Sequence, residues 1–434
     1  MIKIEKRQFI FSHFLNSNGK LVLDDLDLCE LAEKEGTPIL VTSEKRLVSK
    51  YYSFYDPFSS RYKKFRINYA LKSNLNPSIA SVFRKEGAGA DAASLGEVYI
   101  AKISGFTSDK IIFTPNYVSR EVLKRAIESG VVVNFDDINQ LELVKDCAPE
   151  MGSFRVNPGM GAGEFPGIVT GGHGSKFGIP ESYSVESYKK AINYGCKRFG
   201  IHMHAGSSNL DPEYFGKITA KFFDIVAKIQ NELKITFDFI DIGSGFGVPY
   251  RPDDKSINMG DVAEKIIENL NDKVLKKRAE EPLLMVEPGR FLVADSTVLL
   301  GRVTSIKNYD KIIIGTDVGM NILIRPALYG AYHHIVLANK LNEPLKNKVT
   351  IVGQICENTD KIAEDRDFPD AKVNDIIAVF DAGAYVFSMS SNYNGMLRPK
   401  EFLIGVDSVV YTIREEETFN DLVNKIKIPA HLMF

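Results

Sequence analysis

Eight times between about Tyr55 and Arg290 a short apolar, β-branched run gives way to a helical pattern, and this alternation constrains the fold more than any other feature. The runs are Phe65–Leu71, Gly87–Asp91, Ile111–Thr114, Val131–Phe135, Phe154–Asn157, Phe199–His204, Phe237–Ile242 and Pro282–Val286. Strands separated by helices are joined by crossovers and therefore lie parallel. Eight such units over about 250 residues predict a closed (β/α)8, TIM-type barrel. The second run is the least marked, being short and holding two glycines, Gly87 and Gly89. The helices carry clearer punctuation. Asp211-Pro-Glu-Tyr-Phe215 supplies an N-cap acid and a first-turn proline, after which Ile218, Phe222, Phe223, Ile225, Val226 and Ile229 fall on one face.

Past Val293 the pattern changes. Thr297–Thr304, Lys311–Thr316, Lys348–Val352, Ile376–Phe380 and Val409–Ile413 read as strands divided by turn residues, with few helices between them. Two further extended patterns, Gln8–Phe11 and Pro38–Val41, flank a short helix at Asp24–Glu35 and are expected to join that second region. The expected organisation is α/β plus β: a barrel over 45–292, and a mostly β-sheet or β-barrel domain built from 1–44 and 293–434.

Charge and cysteine usage narrow the function. A formal charge of −2 without a long basic block gives no electrostatic footprint for nucleic acid. No apolar run approaches the roughly 18 residues of a membrane span, and Met1-Ile-Lys-Ile-Glu-Lys-Arg7 lacks the apolar centre of a signal peptide, so a cytoplasmic protein is expected. Cys29, Cys147, Cys196 and Cys356 are spaced neither as a disulfide framework nor as a zinc site, and at least three read as small core residues.

In a parallel barrel the carboxyl ends of all strands open onto one face, where the chemistry sits. Lys72, His204, the loop Gly243-Ser-Gly-Phe-Gly247 and Glu287-Pro-Gly-Arg290 all follow strand ends. Each has an ordinary explanation: a solvated lysine, a core histidine bonded to a carbonyl, tight turns, and a glutamate paired with Arg290. Together they suggest more. Two neighbouring amide-rich turns suit a phosphate, and a buried carboxylate needs a cationic partner. An amine able to form a Schiff base, a ring-stacking imidazole and an acid for a pyridinium nitrogen complete the parts of a pyridoxal phosphate site.

Nine blocks in order then carry a resemblance. They are Tyr69-Ala-Leu-Lys-Ser-Asn74, Gly89-Ala-Asp-Ala-Ala-Ser94, Ser175-Lys-Phe-Gly-Ile179, His202-Met-His-Ala-Gly-Ser207, Gly243-Ser-Gly-Phe-Gly247, Glu287-Pro-Gly-Arg290, Arg325-Pro-Ala-Leu-Tyr329, Cys356-Glu357 with Asp360, and Asp381-Ala-Gly-Ala-Tyr385 through Asn392-Tyr-Asn394. The chain resembles the alanine-racemase-type (fold III) pyridoxal phosphate-dependent decarboxylases, most closely the diaminopimelate decarboxylases of lysine biosynthesis. The resemblance implies that Lys72 binds the cofactor aldehyde, with Asp91 also at the cofactor. It places His204 on the ring and Glu287 at the ring nitrogen. Ser207, Gly243, Gly245, Gly289, Arg290 and Tyr385 take cofactor-phosphate positions, Arg290 and Tyr385 also facing substrate. Arg325 and Tyr329 correspond to residues that grip a distal carboxylate, Glu357 to the reader of the distal amino group, and Cys356 to the proton donor. It further implies a homodimer in which Cys356 completes the partner's active site.

The implied reaction releases the α-carboxylate of meso-diaminopimelate as CO2, leaving L-lysine. The protonated ring takes up the electrons, and an acid such as Cys356 protonates the carbon on one face. Among departures from the family pattern, Ser73 and Ser244 are expected to leave cofactor binding intact, whereas Ala205 and Ser208 border the segment that shapes the substrate pocket and also admit D-lysine, D-ornithine, carboxynorspermidine or a siderophore or antibiotic precursor as substrate. Outside decarboxylation, a Schiff-base aldolase or isomerase would have no need of Glu287 or Cys356-Glu357, and a pyridoxal phosphate carrier no use for Arg325 and Tyr329.

Overall fold

The computed structural model describes residues 6–163, 171–172, 174–204, 206–276 and 280–433; Ala205 and the first five residues lie outside the described set. Two compact units are present, one of Leu47–Pro249 with Asp254–Ala294, the other of Met1–Arg46, Tyr250–Asp253 and Asp295–Phe434.

The first unit is the expected barrel. Its strands are β1 (Phe65–Ala70), β2 (Gly89–Ala92), β3 (Ile111–Phe113), β4 (Val132–Phe135), β5 (Met151–Asn157), β6 (Arg198–His202), β7 (Phe239–Asp241) and β8 (Leu283–Val286). Every neighbouring pair is parallel. The ring closes where Leu284, Met285 and Val286 of β8 register with Phe65, Arg66 and Ile67 of β1. β1 is one residue shorter than its apolar run suggests, because Leu71–Ser73 tighten into a 3-10 turn that carries Lys72.

The helices start where the sequence places acceptors. Side chains of Asn76, Ser94, Asp137, Asp211 and Asn258 each take a backbone N–H of the following first turn, a contribution of about 1 kcal/mol apiece. The 22-residue helix Pro212–Leu233 buries Phe215, Ile218, Phe222, Phe223, Ile225, Val226 and Ile229, the face its periodicity predicts. Each such side chain stabilises by roughly 2 kcal/mol.

In the second unit a long central strand, Thr297–Asn308, pairs with Ile312–Thr316, Ile376–Val379 and Ile39–Ser43. Strand alternation divides the core: Val298 and Leu300 pack with Ile39 and Val41 on one side, Leu299 and Val303 with Leu40 on the other. Lys400–Ile404 and Val410–Arg414 extend the sheet at one edge, Asn347–Val352 and Lys361–Phe368 at the other. Gln8–Phe11 is not a strand. Gln8 spends its amide on Lys340 O and Leu337 N, at 2.7 Å each, and Phe9 and Phe11 pack edge-on. Cys29 and Cys196 are core residues as expected, whereas Cys147 is only half buried and Cys356 is exposed. Among the described residues no helix is long and apolar enough to cross a membrane.

Candidate active site

The carboxyl ends of β1, β2, β6, β7 and β8 bring Lys72, Asp91, His204, Ser207, Gly243, Gly245, Glu287, Gly289 and Arg290 into the barrel unit's open face. Lys72 Nζ lies 3.1 Å from Asp91 Oδ2, a carboxylate that is 3% exposed. Burial and the charge of Glu287 push the Asp91 carboxyl up, against the pull of Lys72.

Glu287 has different partners from those its sequence neighbour Arg290 suggests. Its Oε2 lies 3.0 Å from His202 Nε2 and 3.9 Å from His204 Nδ1. A carboxylate only accepts, so His202 Nε2–H donates. Burial works to raise the Glu287 pKa, but the two imidazoles and the Lys72 charge outweigh it and hold the carboxyl well below its ordinary range. Asp241, fully buried on β7, is driven the other way by burial and by Glu287. Environment thus separates neighbouring carboxyls, leaving Glu287 as the anion. Glu287 Oε1 is sealed from water without a hydrogen-bond partner, a costly state unless a donor arrives. Burial lowers the His204 pKa to about 3, so its ring is neutral.

A cradle of amides faces the same opening. Gly243 (φ 66°) and Gly245 (φ 125°) occupy positive-φ backbone that residues with a Cβ rarely adopt, and a Cβ on Gly243 would stand 2.2 Å from Met203 O. Asn209 N donates to Gly245 O at 2.8 Å and Gly247 N to Asn209 O at 2.9 Å, joining the loops after β6 and β7. Arg290 Nη2 reaches Ser207 Oγ at 3.5 Å. Arg155 of β5 donates to His204 O at 3.2 Å and stacks on Phe177.

His202 is the residue sequence reasoning passed over. It falls inside an apolar strand-like run, yet its spacing of two from His204 assigns both to one face. A depression of about 930 Å³ at the opposite ends of the strands, lined by Lys64, Arg198, Asp238 and Glu281, contains none of these groups.

The other predicted residues, Arg325, Tyr329, Cys356, Glu357 and Tyr385, lie in the β-rich unit. Arg325, 2% exposed, begins the short helix Arg325–Tyr329. Its Nη1 contacts His333 Nε2 at 2.8 Å and its Cζ lies 4.8 Å from the Tyr250 ring centroid. Cys356 and Glu357 are exposed to solvent. Cys356 N donates to Asn394 Oδ1 at 2.6 Å, Ile355 N to Asp360 Oδ2 at 2.7 Å, and Tyr393 Oη to Glu357 Oε2 at 3.1 Å. Tyr385 is half buried with φ 59°.

A lysine amine, an ionised carboxyl with one unpartnered oxygen and a glycine turn where a Cβ at 243 would meet backbone at 2.2 Å fit pyridoxal phosphate, and define a barrel enzyme of the Schiff-base class. Residues 47–294 match the family model described as pyridoxal-dependent decarboxylase, pyridoxal binding domain. The chain is 40% identical to diaminopimelate decarboxylase of Methanothermobacter thermautotrophicus over 96% of its own length and 98% of that protein. Protein TabA of Pseudomonas amygdali pv. tabaci is 34% identical over 92% of this chain and 93% of that one. The crystal structure of diaminopimelate decarboxylase from M. jannaschii in complex with L-lysine superposes with a TM-score of 0.88 at 34% identity, covering 97% of this chain and 99% of that one. The chain belongs to the pyridoxal phosphate-dependent decarboxylases of fold type III, and within them is closely related to the diaminopimelate decarboxylases. It is a decarboxylase with pyridoxal phosphate as its cofactor and a small amino acid as its substrate.

Proposed function

We propose that this decarboxylase converts meso-diaminopimelate to L-lysine and CO2. The observation that carries the choice of substrate is Arg325, a guanidinium 2% exposed that stands at the position the family resemblance gives to the grip on a distal carboxylate. Ornithine and lysine lack the second carboxylate, and a site built to bond such a group can reject an analogue without it by several powers of ten. The names of the relatives, over nearly the whole chain, support the same reading.

When bound, pyridoxal phosphate supplies an aldehyde for amines and a protonated ring that takes up the electron pair left by the departing carboxylate. Lys72 contributes the amine, oriented by Asp91. Glu287 keeps a proton on the ring nitrogen, its charge maintained by the donor His202, and neutral His204 offers a flat face for stacking. Ser207, the turn through Gly243 and Gly245, whose first N–H is given to Asp241 Oδ1, Gly289, Arg290 and Tyr385 hold the phosphate, Arg290 and Tyr385 also meeting substrate. Arg325 and Tyr329 grip the distal carboxylate and Glu357 the distal ammonium. Cys356 delivers the proton that replaces CO2.

Cys356 and Glu357 stand exposed on a braced loop, which suits a homodimer in which they complete the active site of the partner. We place the enzyme in the cytoplasm, where an exposed thiol stays reduced. The test is CO2 release from meso-diaminopimelate, D-lysine, D-ornithine and carboxynorspermidine offered separately. The first should be consumed fastest, and Arg325→Ala should abolish that preference; equal losses on all four would refute the role of Arg325. The purified enzyme should be coloured, and Lys72→Ala should lose the band that borohydride removes from the wild type.

A further inference from the structure

The proposed reaction assigns nothing to Asp360 or Asn394, yet the loop that carries Cys356 hangs from both. The loop, 353–360, joins the antiparallel strands Asn347–Val352 and Lys361–Phe368. Asp360 is 2% exposed, and its carboxylate closes the base of the loop: Oδ2 accepts the Ile355 N–H at 2.7 Å and Oδ1 accepts the Met320 N–H at 2.6 Å. Its backbone adds two further bonds, N donating to Glu357 O at 3.0 Å and O accepting from Gly353 N at 3.2 Å. A Cβ on Gly353 would stand 2.5 Å from Asp360 Oδ2, so glycine there leaves the room that the carboxylate occupies.

A second segment takes the next residue. Asn394, 38 positions further along the chain, accepts the Cys356 N–H on Oδ1 at 2.6 Å, and its neighbour Tyr393 donates to Glu357 Oε2 at 3.1 Å. Asn394 holds φ 57° and ψ 21°, left-handed backbone that asparagine and glycine tolerate best. That segment is itself tied down: Asn392 Nδ2 donates to Met396 O at 3.0 Å and to Glu417 Oε2 at 2.6 Å, and Glu417 Oε1 accepts from Arg398 Nε at 2.6 Å. Two consecutive N–H groups, of Ile355 and Cys356, are thus fixed by acceptors from separate parts of the chain. An exposed loop has little apolar packing to hold it, and hydrogen bonds to a carboxylate are about twice as strong as neutral ones. Proton delivery depends on such fixing, because a donor must come within about 3 Å of its target and a misplacement of about 1 Å can cost about 10²-fold.

We infer that Asp360 and Asn394 are positioning residues for the proton donor: two acceptors that grip the backbone at Ile355 and Cys356 and so fix where the Cys356 thiol stands when it protonates the carbon that has lost CO2. The inference rests on the reading of Cys356 given under the proposed function, and adds to it the residues that aim the thiol.

The test uses the holoenzyme and the variants Asp360→Asn, Asn394→Gly, Asn394→Asp and Cys356→Ala. kcat and KM for meso-diaminopimelate are measured with the melting temperature. The reaction is also run in deuterium oxide, and NMR of a chiral derivative of the product shows on which face of the decarboxylated carbon the deuteron sits. Asn394 is exposed, and Asn394→Gly removes its acceptor while suiting the left-handed backbone. That variant should lower kcat about tenfold or more, with little change in KM or melting temperature, and should place deuterium on both faces. Asp360→Asn, which turns an amide N–H2 toward one of the two backbone donors, should lower kcat and facial selectivity in the same way and lower the melting temperature as well. Asn394→Asp, which keeps the acceptor, should recover most of kcat and the single face. If Cys356→Ala leaves kcat and the face of deuteration unchanged, the reading of Cys356 falls first. If Cys356→Ala changes both while Asn394→Gly and Asp360→Asn change neither, the positioning role is refuted. Should Asp360→Asn not fold, the two Asn394 variants decide: equal kcat and equal facial selectivity in Asn394→Gly and Asn394→Asp overturns the proposal, and a loss confined to Asn394→Gly supports it.

Discussion

His202 Nε2 lies 3.0 Å from Glu287 Oε2, and each side chain is about 2% exposed. Nothing else in the barrel mouth does more to keep a buried carboxyl ionised, because this donor is close, dry and fixed on a strand. The other nitrogen, His202 Nδ1, is buried without a partner, so the ring is held for this one contact.

Replacing His202 by phenylalanine should therefore be expensive in a pH-dependent way. In the wild type the Glu287 pKa is lowered, so its stabilising contribution is present above the ordinary carboxylate range and is lost as pH falls through the depressed value. Without the donor, burial dominates and the sign reverses. Urea unfolding at neutral pH should show a loss of about 3 kcal/mol, and the gap between variant and wild type should narrow as pH falls below the ordinary carboxylate range. A gap independent of pH would assign the loss to packing alone.

Glu287→Gln keeps the shape and removes the charge. Because the anion is proposed to act on charge that builds as CO2 leaves, kcat should fall by about 10²-fold or more, with a smaller change in KM. Steady-state kinetics on the cofactor-saturated enzyme make the measurement. A drop confined to KM would move Glu287 from catalysis to binding.

Gly243→Ala tests the cradle. A methyl group 2.2 Å from Met203 O, on a residue at φ 66°, cannot be accommodated without displacing the loop. The cost is on the order of 1–3 kcal/mol from backbone strain alone. Equilibrium dialysis should show weakened cofactor affinity, while the barrel's circular dichroism stays close to that of the wild type.

The proposed sharing of the site across a dimer predicts complementation. Lys72→Ala and Cys356→Ala chains are each expected to be inactive as homodimers. Mixed dimers contain one site with both residues intact and should recover activity, up to about one quarter of wild type for random mixing of equal amounts, since half the dimers are mixed and half their sites are whole. No recovery after verified subunit exchange would mean that Cys356 serves its own barrel.

What could be read from sequence follows from how much each residue's role is local. The barrel strands announce themselves by apolar runs, and their helices by caps such as Asp211 and Asn258, because both signals depend on neighbours in sequence. Lys72, His204 and Glu287 stood out because polar residues at strand ends share one face of a parallel barrel. Lys361-Ile-Ala-Glu-Asp-Arg-Asp-Phe368 escaped, since an edge strand of this kind tolerates charges at positions where a central one would not. His202 escaped for the opposite reason, lying inside a strand whose partner, Glu287, is 85 residues away. The positions of Arg325 and Cys356 were legible only through resemblance, for no periodicity marks a side chain whose importance depends on a distant segment.

The two backbone hydrogen bonds through Asn209 splice the turn after β6 to the turn after β7. A displacement in either is transmitted to the other. The imidazole platform and the glycine turn thus behave as one mechanical part, and a substitution that loosens the grip at Gly245 should also disturb the orientation of His204, five residues before Asn209.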